Sequence, residues 1–364
     1  MTEMKTVDFL VRRDDYGASR LESSSLRELG EGEVLFRVDR FALTSNNVSY
    51  AAAGDLLDYW GFFPAEEGWG RIPAMGFADV IGSRHPDVAE GTRVFGFFPM
   101  ASHLVIRADD AGPGGFVDGV EHRRRHAQAY RQYTNVTTDP VYAAEREDQI
   151  LLLRGLFLTS FLVDGFLADH DGFGARTTVV GSASSKTAIA LAFLLSTQGR
   201  GRVVGVTSPR NEEFVRSLGL YDETLVYDEV KSLPTDVPTA FVDHSGEGGF
   251  VNALHRHLGD SLKYSCMVGM THWNAAPRSE DVPGPKPTFF FAPGEIVKRI
   301  DAWGPAGFQQ RLGDGWRAFC ASTDAWLRIV RGYGPAEVER VFRAVLRGEA
   351  RPSEGHVLSM HPPD

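Results

Sequence analysis

The chain has 364 residues, 43% hydrophobic and 24% charged, a length that accommodates two or three domains with cores of their own. Lysine and arginine number 38 against 48 aspartates and glutamates, a net charge of −10, so the surface suits neither nucleic-acid phosphates nor anionic lipid. The only cysteines, Cys266 and Cys320, are too few for a disulfide framework or a thiolate zinc site. The charged stretch Met1–Leu21 holds no apolar core of a secretory signal, so a cytoplasmic protein without a metal is expected.

The first third reads as β-rich. Val34–Val38, Asp79–Gly82, Thr92–Phe97 and His103–Ile106 alternate or run apolar, and the many glycines and prolines between them predict a partly open β-barrel with long loops. Asp109–Gly119 is the most linker-like stretch, and the arginines of His122–His126 are expected on a solvated face. Asp148–His170 is predicted as one long helix. Its apolar region Ile150–Leu167 is interrupted by Arg154, Gly155 and Asp164, so it reads as a core helix, not a membrane span. Strands at Thr177–Val180, Arg202–Thr207, Thr224–Tyr227, Thr239–Asp243 and Lys263–Gly269 alternate with helices at Ser184–Thr197, Glu212–Leu218 and Phe250–His257. That alternation predicts a doubly wound parallel sheet. Helices at Ala306–Val330 and Pro335–Leu346 and a strand at Val357–Met360 follow. The expected organisation is α/β: a β-rich domain over 1–147, a doubly wound domain over 148–320, and a return to the first domain over 321–364.

The most informative segment is Thr177–Ala188, TTVVGSASSKTA. A buried strand enters a turn of small residues, Gly181, Ser182, Ala183, Ser184 and Ser185, and then a helix. A Rossmann fold places a diphosphate there, because first-turn amides lack acceptors and the helix dipole favours an anion. Lys186 and Thr187 at the helix start belong to the same candidate set. Lys186 opposes the dipole unless an anion resides there; the alternative is a lysine turned to solvent. The P-loop reading fails, since the spacing to Lys186 is one residue short and Ser185 stands where glycine is needed. A plain serine-capped turn remains open. The next strand ends in Ser208-Pro209-Arg210-Asn211 with no acidic residue. Ser208 and Arg210 suit the 2′-phosphate of NADP(H) better than the ribose hydroxyl of NAD(H), although Arg210 could instead pair with Glu212 or Glu213.

Asp243-His244-Ser245-Gly246 follows a core strand at the carboxyl end of the sheet, where ligands of open α/β sheets bind. His244 and Ser245 are therefore candidate nicotinamide neighbours, as are Gly269 and Thr271 after the next strand. A hydrolytic triad from Asp243, His244 and Ser245 is excluded, because adjacent residues on one strand end cannot adopt its geometry. Tyr59, Trp60 and Phe63, with Tyr133 and His272, are candidates for an apolar substrate pocket, although large aromatics more often fill cores.

The order of these features resembles the medium-chain dehydrogenase/reductase superfamily, in particular its zinc-free quinone oxidoreductase and enoyl reductase branch. The resemblance is carried by Arg40–Tyr50 (RFALTSNNVSY), Gly61–Pro64, Ile72–Gly82, Gly91–Gly96 and Val203–Tyr227. A narrower group within the superfamily is suspected from Ala183–Ala188, Thr271-His272-Trp273 and Phe290-Phe291-Ala292-Pro293. The resemblance implies a GroES-like barrel beside a Rossmann domain, with Tyr227 near the 2′-phosphate. It also implies hydride transfer from NADP(H) to an activated alkene, quinone or carbonyl, with Asn46, Ser49 and Tyr50 as donors beside the nicotinamide. Tyr50 would protonate an enolate if its environment lowers its pKa. A homodimer formed through sheet edges and a small-molecule substrate are implied as well. Two alternatives stand: a dinucleotide sensor or scaffold without turnover, and a non-redox lyase or dehydratase using the same cleft.

Overall fold

The computed structural model describes residues 4–268 and 282–363. The chain divides into two compact units, Met1–Leu152 with Arg328–Asp364, and Leu153–Leu327. The first unit opens with β1 (Lys5–Arg12), β2 (Ser19–Ser25), β3 (Glu33–Leu43), α1 (Ser45–Ala52) and β4 (Trp69–Gly70). It continues through β5 (Pro73–Ser83), β6 (Arg93–Pro99), β7 (His103–Gly112), β8 (Gly115–Asp118) and β9 (Gln132–Asn135).

Six of these strands run in the order β3-β5-β6-β9-β8-β7, and β7 pairs back onto β3. The barrel is therefore closed, where a partly open one was expected. β3 makes closure possible by its length. Its Glu33–Arg37 end pairs with β7, and irregularities at Leu35/Phe36 and Val38/Arg40 let it curl along β5. Phe36, Phe98, Phe116 and Tyr133 fill the interior. The first two strands, which the sequence pattern did not single out, form a separate small sheet with β4.

The expected linker at Asp109–Gly119 is instead the β7–β8 hairpin. Gly115 has φ 118°, and a side chain there would strike the Tyr133 carbonyl. Of the arginines after it, Arg124 and Arg125 are exposed, as expected of a solvated face, and Arg123 is not. Arg123 is buried against Asp118 and lies 4.8 Å from the Phe63 ring centroid. Arg124 pairs with Asp109 at 2.8 Å, and Arg125 with Asp58 at 2.5 Å.

The long helix α2 (Glu147–Asp169) starts in the first unit. Arg93 fastens its first turn with two 2.7 Å bonds to Glu147 while also holding Asp39 at 2.7 Å and Asp79 at 3.0 Å. Arg331 holds Asp148 at 2.6 Å. These pairs explain why the unit boundary lies after Leu152, inside the helix. By length and composition Ala144–Asp169 could cross a membrane. Leu162, Val163 and Leu167 are nevertheless buried in the core of the second unit, as a core helix requires.

The second unit continues with β10 (Thr177–Gly181), α3 (Lys186–Thr197), β11 (Arg202–Thr207), α4 (Glu212–Ser217) and β12 (Glu223–Val226). Then come β13 (Thr239–Asp243), α5 (Gly248–Leu258), β14 (Leu262–Met267), β15 (Thr288–Phe289) and α6 (Ala292–Ser322). Its six strands are parallel in the order β12-β11-β10-β13-β14-β15. Both faces are covered. Leu162, Leu191 and Phe308 pack on one side, and Val206, Phe250 and Leu254 on the other. α6 is broken at Gly304, whose φ of 71° and ψ of 160° precede Pro305. The helix expected from Ala306 is thus only the part beyond this break, and the helical residues 292–303 before it were not anticipated.

The chain returns to the first unit with β16 (Arg328–Tyr333), α7 (Pro335–Leu346) and β17 (Glu354–Ser359). The expected helix over Ala306–Val330 thus ends at Ser322, and Ile329 and Val330 lie in a strand. β17 joins β3 antiparallel and carries β16 in parallel beside it. α7 packs Val338, Val341 and Phe342 into the same core as Phe9, with the two phenylalanine rings 5.1 Å apart.

Candidate functional site

In the second unit the centre of the sheet carries the small-residue loop. Chain reversal from β10 into α3 takes place over Ser182–Ser185. Ser182 sits in the left-handed region at φ 54°, a conformation that a non-glycine residue adopts at a cost. Ser185 caps α3, its hydroxyl accepting from the Ala188 amide at 3.3 Å. The loop lies tight on β11. The Ala183 amide donates to the Val206 carbonyl at 2.9 Å, and Tyr221 donates its hydroxyl to the Ala183 carbonyl at 2.9 Å.

Ser184 is met by Thr207 at 3.3 Å and by the Asn211 amide at 3.0 Å. The end of β11 therefore approaches the loop through residues the sequence reading did not select. Ser208 is half-buried and Arg210 exposed just beyond. Glu212 pairs with Arg216 at 2.7 Å. The donor set suits an anionic diphosphate: the first-turn amides of α3, the hydroxyls of Ser184, Ser185 and Thr187, and the Lys186 ammonium. The amides of Ala183 and Ser185 are already bonded to Val206 and Ser182, so an anion would be met from α3 itself.

Neighbouring side chains reinforce the loop. Tyr227 hydrogen-bonds Ser182; burial pushes its phenol up to about 12, that bond lowers it, and Asp243 and Glu247 nearby raise it. At the end of β13 the buried Asp243 accepts from the Ser245 amide at 2.8 Å, the Ser245 hydroxyl at 2.6 Å and the Gly246 amide at 3.2 Å. Ser245 is thereby committed to shaping this turn. His244 is fully buried, and burial pushes its imidazole down to about 4 against the opposing effect of the Gly181 backbone, leaving a neutral ring at pH 7. Gly181, Ser182, Ser184, Ser185, Lys186, Thr187, Tyr227, His244 and Ser245 thus all belong to the carboxyl-end region of β10, β12 and β13. Gly269, Thr271 and His272 lie outside the described residues.

In the first unit α1 begins with a reciprocal cap: Asn46 donates its amide to Thr44, and Thr44 donates its own to the Asn47 side chain at 2.8 Å. One turn on, the Asn46 side chain donates to the Tyr50 hydroxyl at 2.7 Å. The i, i+4 spacing puts both on one helix face. Ser49 turns its hydroxyl back to the Ser45 carbonyl at 3.4 Å. Tyr50 stacks on Tyr59 with centroids 4.5 Å apart and meets Phe97 edge-on at 5.8 Å. Burial pushes the Tyr50 phenol well above its usual range, nearby Tyr130 adds to this, and the Asn46 bond only partly offsets it. The lowered pKa on which a proton-donor role depended is absent. The geometry suits a neutral hydroxyl that donates a hydrogen bond to a substrate oxygen.

The expected pocket residues divide. Tyr59 and Phe63 belong with Tyr50, Phe62, Phe97 and Tyr130 in one aromatic cluster. Trp60 is only 3% exposed and packs in the core against Gly54 and Gly70. Phe63 is buried under Arg123. Tyr133 is 1% exposed inside the barrel, its hydroxyl bonded to the Phe97 carbonyl at 3.0 Å. Trp60, Phe63 and Tyr133 are therefore core residues and not pocket walls, each at most 4% exposed. Among the described residues no cluster of three His, Cys, Asp or Glu side chains could hold a metal ion.

Comparison with solved structures finds the same fold elsewhere. The chain is similar to CurA of Vibrio vulnificus, crystallised with NADPH, at 13% identity and a TM-score of 0.65, covering 98% of this chain and 100% of that one. It is also similar to the yhdH oxidoreductase of Salmonella enterica in complex with NADP, at 16% identity and a TM-score of 0.54, covering 98% and 99%. The quinone oxidoreductase of Coxiella burnetii aligns at 14% identity and a TM-score of 0.52, covering 98% and 99%. At such identities the likeness establishes the fold alone. No curated protein matches the chain. Residues 41–351 match the family described as "Protein of unknown function (DUF2855)", and because that match spans most of both units the chain belongs to the DUF2855 family.

Proposed function

We propose that the protein is an NADP(H)-dependent oxidoreductase that reduces an activated alkene, a quinone or a carbonyl. The observation that carries this reading is the loop Gly181–Ser185 at the carboxyl end of the central strand β10, opening directly into a serine-capped helix. Ser184, Ser185, Lys186 and Thr187 would hold the diphosphate, and Ser208, Arg210 and Tyr227 the 2′-phosphorylated ribose. Bound cofactor would supply the hydride. The protein's part is to orient the acceptor and to stabilise charge developing on its oxygen, for which Tyr50, aligned by Asn46, offers a fixed hydroxyl donor.

Titration of tryptophan fluorescence with NADPH and NADH tests the cofactor, and loss of NADPH absorbance with 1,4-benzoquinone or 2-cyclohexen-1-one tests turnover. The expected result is tighter binding of NADPH than of NADH, with the preference reduced about tenfold or more in Arg210→Ala. An unchanged preference in that variant removes Arg210 from the phosphate site. Binding of NADPH without oxidation by either acceptor would favour the sensor reading instead.

The reading extends to a homodimer joined at the β15 edge of the sheet. Support comes from Phe289 and Phe291, 65% and 64% exposed beside that short edge strand. Sedimentation of Phe289→Lys is expected to show a single chain; an unaltered dimer would place the interface elsewhere.

A further inference from the structure

We propose that Asn211 is a positioning residue that holds the Ser184 hydroxyl as a hydrogen-bond donor toward the cofactor diphosphate. This role rests on the reading of Gly181–Ser185 as the diphosphate loop. Asn211 lies 27 positions beyond Ser184 and has no part in that reading.

Asn211 stands where a helix cap belongs, and its side chain does not serve as one. It directly precedes α4, and asparagine is among the residues best suited to that position, where the side-chain oxygen accepts from an amide two or three residues on. At Asn211 no such bond is made, and the backbone, at φ −105° and ψ 0°, lacks the extended form typical of a cap. The side chain turns back to the loop between β10 and α3 instead, where its Nδ2 lies 3.0 Å from the Ser184 Oγ. An amide nitrogen carries hydrogens and accepts none, so this bond runs in one direction: Asn211 donates and Ser184 accepts.

Thr207 supplies a second donor. It is buried at the end of β11, and its hydroxyl donates to the same Ser184 oxygen at 3.3 Å. A serine hydroxyl has two lone pairs and one proton. With Thr207 and Asn211 engaging the lone pairs, the proton is what Ser184 has left to offer, and Ser184 itself is only half-buried. A phosphate oxygen, which accepts and bears negative charge, is the partner this arrangement suits. Without the two donors the hydroxyl would divide its proton among three staggered positions. Held by them, it is prepared before the ligand arrives, and a donor fixed in advance loses less freedom on binding.

The test titrates tryptophan fluorescence of the full chain with NADPH and with NADH, both of which carry the diphosphate. Asn211→Leu removes the donor at similar side-chain size, and because no cap bond is lost the unfolding temperature is expected to stay within about 2 °C of the parent. The dissociation constants for NADPH and NADH are expected to rise by the same factor, about threefold to tenfold, and in Ser184→Ala by about tenfold or more. The double variant is expected to match Ser184→Ala alone. Unchanged affinities in Asn211→Leu overturn the proposal, and losses that multiply in the double variant overturn action through Ser184. A loss confined to NADPH overturns the assignment to the diphosphate and moves the Ser184 proton to the 2′-phosphate. In turnover of NADPH with 2-cyclohexen-1-one, Asn211→Leu is expected to raise KM for NADPH and leave kcat as it is; a lower kcat at constant KM overturns the role. If the parent binds neither dinucleotide, the cofactor reading itself fails and takes this role with it, whereas binding by the parent that Asn211→Leu does not alter removes this role alone.

Discussion

Gly205, in the middle of β11, is where the loop and its supporting strand come closest. Its backbone is ordinary strand, so alanine meets no conformational penalty there and any loss must be steric. A Cβ would stand 2.8 Å from Cδ1 and 2.9 Å from Cγ of Tyr221, and 3.0 Å from Cβ of Ala183. The Tyr221 ring would have to retreat about half an ångström, and its hydroxyl is bonded to the Ala183 carbonyl in the loop itself. Overpacking of this kind costs about 1–3 kcal/mol, and we expect Gly205→Ala to cost about 2 kcal/mol in the second unit. Thermal unfolding would register this as a fall of roughly 4–8 °C. Because the displaced groups shape the loop proposed to hold the diphosphate, the dissociation constant for NADPH should rise by about tenfold, equivalent to 1.4 kcal/mol. The deciding control is Tyr221→Leu, which removes the ring. In that background Gly205→Ala should cost less than about 0.5 kcal/mol. An equal cost in both backgrounds, or none in the parent, would refute the steric argument.

Arg93→Met strands Glu147 and Asp39 together. Loss of one partner from a buried pair costs about 3–5 kcal/mol; Arg40, 2.9 Å from Asp39 and 3.7 Å from Glu147, holds the expected loss near the lower end, measured by urea unfolding. Burial raises the Asp39 carboxyl, but bonding to Arg93 and the charge of Arg40 outweigh it, and the group lies below the usual carboxylate range. Its contribution is therefore complete above about pH 4 and disappears as the pH falls through the lower folded value; in Arg93→Met the acid loss should begin at a higher pH. Tyr50 makes the opposite kind of prediction. Its raised phenol stays protonated, so the parent should show no alkaline loss of kcat attributable to Tyr50 up to about pH 9. Tyr50→Phe should lower kcat by about a hundredfold with NADPH binding retained. An alkaline inflection present in the parent and absent from Tyr50→Phe would show that the hydroxyl titrates.

The sheet of the second unit was legible because its strands are buried on both faces and bounded by helices. Arg202–Thr207 and Thr239–Asp243 were expected with the limits observed. The hairpin at Asp109–Gly119 was not, since its glycines and aspartates satisfy a turn and a linker equally, and only the contact between Gly115 and the Tyr133 carbonyl distinguishes them. Arg328–Tyr333 continues the apolar spacing of the preceding helix, and its strand character comes from β17, which lies later in the chain. At the sites, the small-residue loop followed from local chemistry. The bonds from Arg125 and His126 to Asp58 did not stand out, because they bridge 67 and 68 positions, and no local pattern encodes such distances. Trp60 and Tyr133 were misassigned for a related reason: an aromatic at a cavity wall and one in a core look alike in sequence.

The split of the first unit into segments on either side of the second bears on how the protein is made. As the polypeptide leaves the ribosome, Leu153–Leu327 is a continuous stretch able to fold as soon as it emerges. The barrel strands precede it, but β17, which covers the Phe41–Leu43 end of β3, is synthesised only after it. Until then that edge is bare, an open template for pairing with another nascent chain. Translational stalling after Leu327 is the circumstance in which chaperone protection of this edge would matter most.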